Sequence, residues 1–280
     1  MKFALATVIF PGNKEFFLEF VQSLRNQTDQ NFILLIVNDG CNLDDFDLSG
    51  FERIILSSGG SITKNREILI HEAFKLNSEW IVFADADDWF DANRIEVIRT
   101  LAPDYDLIAN EIVPFNGKQF SDPRFEKILG KFSKIDLNFI LDKNLFGLSN
   151  VACRTQFLKD IVIPPQIIAV DWFIFTKAIQ ANARACFTAN TKTYYRQWAD
   201  NIIGIDKTSE KAIKTGVKAK YFHYKNLEDF DVRFAQNLTW LQNLIENIEN
   251  SSFDNYLNKV RKSNVPTTFW WENIKDYEDV

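Results

Sequence analysis

Three short, almost unbroken apolar runs constrain this chain most: Phe3 to Phe10, Phe32 to Val37 and Trp80 to Ala84. Runs of this length read as strands buried on both faces, and such strands pair in parallel and need crossover helices between them. The intervening sequence supplies the helices. Phe16, Phe17, Phe20, Val21 and Leu24 recur at helical spacing after Asn13, which reads as an N-cap. A second helix is expected from about Ser61, with Ile62, Leu69, Ala73 and Leu76 on one side, between a short strand at Ile54 to Leu56 and the strand at Trp80. This alternation predicts an α/β fold: a mostly parallel sheet flanked by helices and joined by right-handed crossovers.

From Asp106 to about Pro165 the pattern loosens into mixed strand and loop, broken by Pro114, Pro123, Pro164 and Pro165. Trp172 to Ala181 reads as helix, and Arg184 to Tyr195 as a strand pair or a strand and a loop. Beyond Thr208 the chain turns polar and helix-favouring, with Val232, Leu238, Leu241, Ile245 and Ile248 in an interrupted stripe. That stretch is expected to be a C-terminal helical extension. Its end, Phe269-Trp270-Trp271, could pack back on the body, join two subunits or touch a membrane surface.

Composition excludes several classes of function. The 280 residues carry 38 Asp+Glu against 32 Lys+Arg, a net charge of −6, so the chain offers no basic surface for nucleic acid or an anionic membrane. Cys41, Cys153 and Cys186 are odd in number and irregular in spacing, which gives neither a disulfide framework nor a zinc pattern and reads as reduced thiols in a cytosolic protein. With His71 and His223 as the only histidines, a His-rich metal site or a Ser-His-Asp triad has little to draw on. The run entered at Met1-Lys2-Phe3-Ala4 is too short for a spanning helix and lacks a small-residue cleavage site, and no later run approaches about 18 apolar residues, so neither standard secretion nor a membrane span is expected. The aromatic content is high, 26 Phe, 7 Trp and 7 Tyr, so rings fill core space and some could line a cleft, with Trp89, Trp172 and Trp198 the first to consider.

The sharpest local feature is Asp85-Ala86-Asp87-Asp88-Trp89, which follows a buried strand and precedes a helix expected near Asp91. Ligands of open α/β sheets bind beyond the carboxyl ends of the strands. Clustered carboxylates there repel one another unless a cation sits among them, and a hard divalent ion bridging to a diphosphate is one answer. Capping of the next helix by Asp88 or Asp91 is the plainer one. Val37-Asn38-Asp39-Gly40 ends an earlier strand, and its carboxylate would project to the same edge, although an Asp-Gly turn needs no ligand. Phe10-Pro11-Gly12-Asn13 ends the first strand in the same way.

In this order, the motifs resemble family 2 glycosyltransferases of the GT-A (Rossmann-like) fold. The matching text is TVIFPGN at Thr7 to Asn13, SLRNQTDQNF at Ser23 to Phe32, IVNDG at Ile36 to Gly40, KNR at Lys64 to Arg66, FADADD at Phe83 to Asp88, VDW at Val170 to Trp172 and YYRQWADN at Tyr194 to Asn201. The likeness covers about residues 3 to 204. It implies a GT-A domain over 1–205, with a nucleotide-sugar-binding half at 1–105 and an acceptor-binding half at 106–205, followed by the helical extension at 206–280.

The resemblance also implies roles. Asp39 would contact the base of a nucleoside diphosphate sugar, with Phe10, Pro11 and Asn13 in the same pocket. Lys64 or Arg66 would offset diphosphate charge, Asp85 would face the ribose or the metal, and Asp87 with Asp88 would hold Mn2+ or Mg2+. Arg196, Gln197 and Trp198 would line the substrate. Asp171 would be the catalytic base, although helix capping explains an Asp there equally well. The implied reaction is inverting transfer to a hydroxyl of a glycan or glycolipid, in a cytoplasmic protein that could touch the inner membrane face or dimerise through its extension.

Three departures from the family pattern stand out: Asn38 where a second Asp is common, Lys64 where Arg is usual, and Trp198 where many relatives have a histidine. An indole cannot ligate a cation, so Trp198 either stacks on a sugar or fills core. Two other readings stay open. One is a haloacid dehalogenase-type phosphotransferase, whose nucleophile loop is also strand followed by Asp-x-Asp. The other is a nucleotide or sugar binder that keeps the pocket without turnover.

Overall fold

The computed structural model describes residues 1–117, 119–197, 209–251, 253–263 and 268–275. Its first four strands are β1 (Phe3–Ile9), β2 (Phe32–Asn38), β3 (Arg53–Ser57) and β4 (Trp80–Phe83). They pair in parallel, with Phe3 opposite both Phe32 and Trp80. Alternation along β1 sends side chains to two different cores. Phe3, Leu5 and Ile9 meet Phe17, Phe20 and Leu24 of α1 (Phe17–Arg25) on one face. Ala4 and Ala6 meet Leu69, Ile70 and Ala73 of α2 (Ile62–Lys75) on the other. The sheet is therefore covered on both sides, as the continuous apolar runs require.

After β4 the chain forms the two-residue strand β5 (Trp89–Phe90), α3 (Arg94–Leu101), β6 (Leu107–Phe115), the single turn α4 (Glu126–Leu129), β7 (Phe132–Ile135) and β8 (Val151–Arg154). Then come α5 (Val170–Gln180) and β9 (Ala185–Arg196). The sheet order is β3-β2-β1-β4-β8-β6-β9-β5, with β7 paired to β9 off that path. Arg184 to Tyr195 is not a strand pair. It is one long strand parallel to β6, whose register skips from Asn110 opposite Thr188 to Glu111 opposite Lys192. The bulge lets β9 pair with β7 before it and with β5 after it.

Asn13 does not cap α1, which is preceded by a 3-10 turn over Pro11–Phe16. It sits 2% exposed inside that turn, where its side chain accepts the Phe10 N–H at 2.9 Å. The C-terminal helices α6 (Glu210–Lys225), α7 (Val232–Ser251) and α8 (Phe253–Lys262) add to the core that contains α5. Phe269, Trp270 and Trp271 pack back on the body at 2–5% exposure, and the backbones of Trp270 and Asn144 exchange two hydrogen bonds. No described helix is long and apolar enough to cross a membrane.

Candidate active site

The carboxyl ends of β1, β2 and β4 turn into three loops at one sheet edge, and the first turn of α2 connects two of them. At the end of β2, Asn38 closes its turn by bonding the Cys41 backbone in both directions, and Gly40 takes a φ of +94° that its missing side chain permits. Asp39 is thereby left half-buried at the edge, where Asn65 of α2 donates to its Oδ2 at 3.4 Å. The next residue of α2, Arg66, pairs with Asp85 Oδ1 at 2.8 Å, beyond the end of β4. Asn65 is itself 3% exposed and accepts from Ser58 Oγ and Gly59 N, so the hub is tied to the β3 turn as well.

The acidic loop is braced from the far side of the sheet. Arg196, at the end of β9, donates its backbone N–H to Asp88 Oδ1 at 2.7 Å and its Nε to the Asp87 carbonyl at 2.9 Å. Its Nη2 reaches Glu19 of α1 at 2.6 Å, and the guanidinium lies 4.3 Å from the centre of the Phe16 ring. Behind the loop Arg94 is buried, donating to the Phe83 carbonyl and to Asn110 and packing over the Phe90 ring. Burial lowers its pKa to about 9 against the opposing charges of Asp88 and Asp85.

Asp171 lies in the first turn of α5, two residues past the N-cap Ala169, and its Oδ1 accepts the Trp172 N–H at 2.7 Å. Burial pushes its carboxyl up to about 7; the Trp172 N–H opposes this, the Asp85 charge adds to it and the Arg66 charge subtracts. The fold thus brings Asp171 within the electrostatic reach of the Arg66–Asp85 pair, although it enters from another part of the chain.

A divalent cation was expected at Asp87 and Asp88. Asp88 is 1% exposed, and burial, then Asp87 and Asp85, hold its carboxyl well above the usual range. Hydrogen bonds from the Ser149 hydroxyl and the Arg196 N–H oppose that rise. Asp87 and Asp88 supply hard oxygen donors of the kind that Mn2+ or Mg2+ takes. No ready-made cage of three or more His, Cys, Asp or Glu side chains occurs among the described residues. Ions of this type commonly take one or two carboxylates and complete their shell with water and substrate phosphate.

No family model and no curated protein matches the sequence. Solved structures do match. The 1–349 portion of Staphylococcus aureus TarS in complex with UDP-GlcNAc superposes with a TM-score of 0.65 at 17% identity, over 94% of this chain and 77% of that one. GalNAc-T7 with UDP, GalNAc and Mn2+ gives 0.57 at 12%, over 90% and 58%. The chain has the GT-A fold. Against the longer TarS structure it covers 46% of that chain, about half its length, at a TM-score of 0.63 and 16% identity.

Within this GT-A frame the residues expected at the site separate into two groups. Asp39, Arg66, Asp85, Asp87 and Asp171 gather at the edge, with Phe10 (41% exposed) and Pro11 at its rim. Asn13 and Arg196 are buried in contacts that shape the loops. Lys64 pairs with Glu67 at 2.7 Å rather than with a site acid, and the Gln197 N–H donates to the Phe115 carbonyl. Trp198 lies outside the described residues. Trp172 is fully buried, donating Nε1 to the Ile140 carbonyl and stacking 3.7 Å from His223, so it is core rather than a sugar platform. Trp89 is half-buried and stacks on Tyr194 at 4.3 Å. Sequence reasoning missed Asn65, Glu67, Arg94 and Glu19. The adjacency of Asn65 and Glu67 to Arg66 was the available signal; Glu19 gave none, because its partner Arg196 lies 177 residues away, and Arg94 gave none, because an Arg in the first turn of a helix reads as solvent-facing.

Proposed function

We propose that this chain is an inverting glycosyltransferase that moves a sugar from a nucleoside diphosphate sugar to a hydroxyl of a glycan or glycolipid. The observation that carries the reading is the first turn of α2, where Asn65 and Arg66 hold Asp39 and Asp85 at one edge facing Asp171. We assign the donor to residues 1–105, the acceptor to 106–205, and 206–280 to a helical extension. That UDP accompanies the GT-A neighbours makes a uridine nucleotide the first donor to test.

In this reading Asp39 accepts a hydrogen bond from the nucleobase, while Phe10 and Pro11 wall the base. Arg66 offsets diphosphate charge and keeps Asp85 oriented. Asp87, with Asp88 behind it, would hold Mn2+ or Mg2+, which when bound stabilises the negative charge that grows on the leaving diphosphate. Asp171 takes the proton of the acceptor hydroxyl as the new bond forms. A sugar hydroxyl is a weak acid, so a base near pH 7 is better matched to the task than an ordinary carboxylate near 4. In-line attack opposite the leaving group inverts the anomeric carbon, and the scaffold's contribution is alignment. The haloacid dehalogenase-type reading puts its acidic loop after the first strand; here the loop follows the fourth, and no observation favours that reading.

The test is a thermal-shift panel of UDP, GDP, dTDP and CMP with and without Mn2+, because a ligand of the folded state raises the midpoint by mass action. One nucleotide should stabilise the chain, more strongly with Mn2+, and Asp87→Asn should weaken the metal-dependent part. No response to any nucleotide refutes the proposal.

A further inference from the structure

Three consecutive residues of α2 reach three separate parts of the candidate site. Asn65 bonds Asp39, Arg66 bonds Asp85, and Glu67 turns the other way, toward the segment that leads into α5. Glu67 is 6% exposed, and both of its oxygens are engaged. Oε1 accepts the Ile163 N–H at 2.7 Å, across 96 residues of sequence, and Oε2 accepts Lys64 Nζ at 2.7 Å. Ile163 is itself 2% exposed in the main core.

The segment between Ile163 and Asp171 is short and stiff. Pro164 and Pro165 fix their φ angles, Ile167 N–H closes a turn onto the Pro164 carbonyl at 3.0 Å, and Phe173 N–H reaches back to the Ala169 carbonyl to start the helix. A stiff connector transmits the position of its anchored end to the residue it carries. We propose that Glu67 is a positioning residue for Asp171: by fixing Ile163 it sets where the first turn of α5 enters the site. This rests on Asp171 being the base. It makes the first turn of α2 the common reference for the donor side, through Asn65 and Arg66, and for the base, through Glu67. The interaction is a charge-assisted bond in which the Ile163 N–H donates to a buried carboxylate, so it is stronger than a neutral contact.

The experiment compares Glu67→Ala and Glu67→Gln with the parent protein by three measurements: hydrogen exchange over residues 161–171, UDP affinity with Mn2+, and release of UDP from UDP-GlcNAc. In Glu67→Ala, exchange over 161–171 should quicken while peptides over 36–40 and 83–88 stay as in the parent. Turnover should fall about 10- to 100-fold, the scale of a small misplacement of a reacting group, with UDP affinity unchanged within about twofold. Glu67→Gln keeps an oxygen that can accept the Ile163 N–H and should recover most of the turnover. Unchanged exchange in Glu67→Ala overturns the proposal. So does a loss of UDP affinity parallel to the loss of turnover, or a Gln variant as impaired as the Ala variant. Full turnover in Asp171→Asn sinks the base assignment instead, and with it the positioning role. If Asp171→Asn is inactive but Glu67→Ala turns over normally, the positioning role alone fails.

Discussion

Replacing Asp171 by Asn is expected to abolish turnover and, at the same time, to stabilise the fold. Burial pushes the Asp171 carboxyl from the usual 3.8 up to about 7. Between those two values the folded chain keeps a proton that the unfolded chain has released, so stability falls as pH rises through that window and is level above it. The window spans about 3 pH units at about 1.4 kcal/mol each, which sets a ceiling of about 4 kcal/mol for the cost of ionising the folded group. Asn retains an oxygen for the Trp172 N–H, and the partial exposure of the side chain reduces the cost of its charge, so about 2 kcal/mol is the expected gain above pH 7. For a chain of this size that is a rise in Tm of about 3 °C. At pH 5 only about a third of the window has been crossed, and the gain shrinks in proportion. Thermal unfolding at pH 5 and pH 8 without nucleotide or metal measures both values, with UDP release from UDP-GlcNAc followed alongside. In the parent, the rate should climb with pH and level off above about 7, because the base must be ionised to act. A variant less stable than the parent at pH 8, or an offset equal at both pH values, refutes desolvation as the source of the raised pKa. A variant that turns over normally refutes the base.

Two further outcomes test the surroundings. Arg196→Met removes the bonds to the Asp87 carbonyl and Glu19 while keeping the backbone N–H that Asp88 accepts. Titration calorimetry with UDP and Mn2+ should show about a 10-fold loss of affinity, the scale of one charged hydrogen bond, and unchanged affinity would remove the bracing role. Lys220 is 1% exposed on α6, donates to the Ile274 carbonyl, and is held by burial at about 7. Asp142 and Glu272 favour its charge, whereas Lys275 and Lys143 oppose it. Between about 7 and 10.5 the unfolded chain binds a proton that the folded chain lacks, so the parent should gain stability over Lys220→Met as pH rises through that range. Denaturant titration at pH 7 and pH 10 that gives a constant difference would contradict this.

Much of the fold was legible because β1, β2 and β4 are buried on both faces and advertise it as unbroken apolar sequence. Asp39 and Asp85 were legible for a related reason: polar residues that end such a run must emerge at the sheet edge. The bracing was not. Arg196 reads in sequence as a ligand-facing cation, yet its bonds reach Asp87 and Glu19, 109 and 177 residues away, and only the tertiary fold reveals that its guanidinium is engaged by protein. Glu67 and Arg94 look like ordinary helix-surface charges; Glu67 is buried by the Ile163 segment, 96 residues on, and Arg94 by the end of β4 and by Asn110 of β6. The strand-or-pair ambiguity at Arg184 to Tyr195 had a similar origin, because a bulge changes a strand's partners without changing the strand-forming character of its residues.

The candidate base also changes the meaning of the C-terminal helices, which in sequence read as an addition to a finished domain. Burial comes first among the causes of the raised Asp171 pKa, and the Arg66–Asp85 pair follows with contributions of opposite sign. The basicity of Asp171 is therefore made by packing more than by neighbouring charge. That packing continues from the next residue: Trp172 stacks on His223 of α6, and Tyr224 and Phe234 surround the same imidazole. Burial holds His223 well below its usual pKa, so it remains uncharged beneath α5 near neutral pH. A neutral ring can stay in an apolar contact where an imidazolium would draw in water. Through this stack, residues beyond 209 help to hold α5 in the core, and with it the desolvated first turn on which the proposed proton transfer depends.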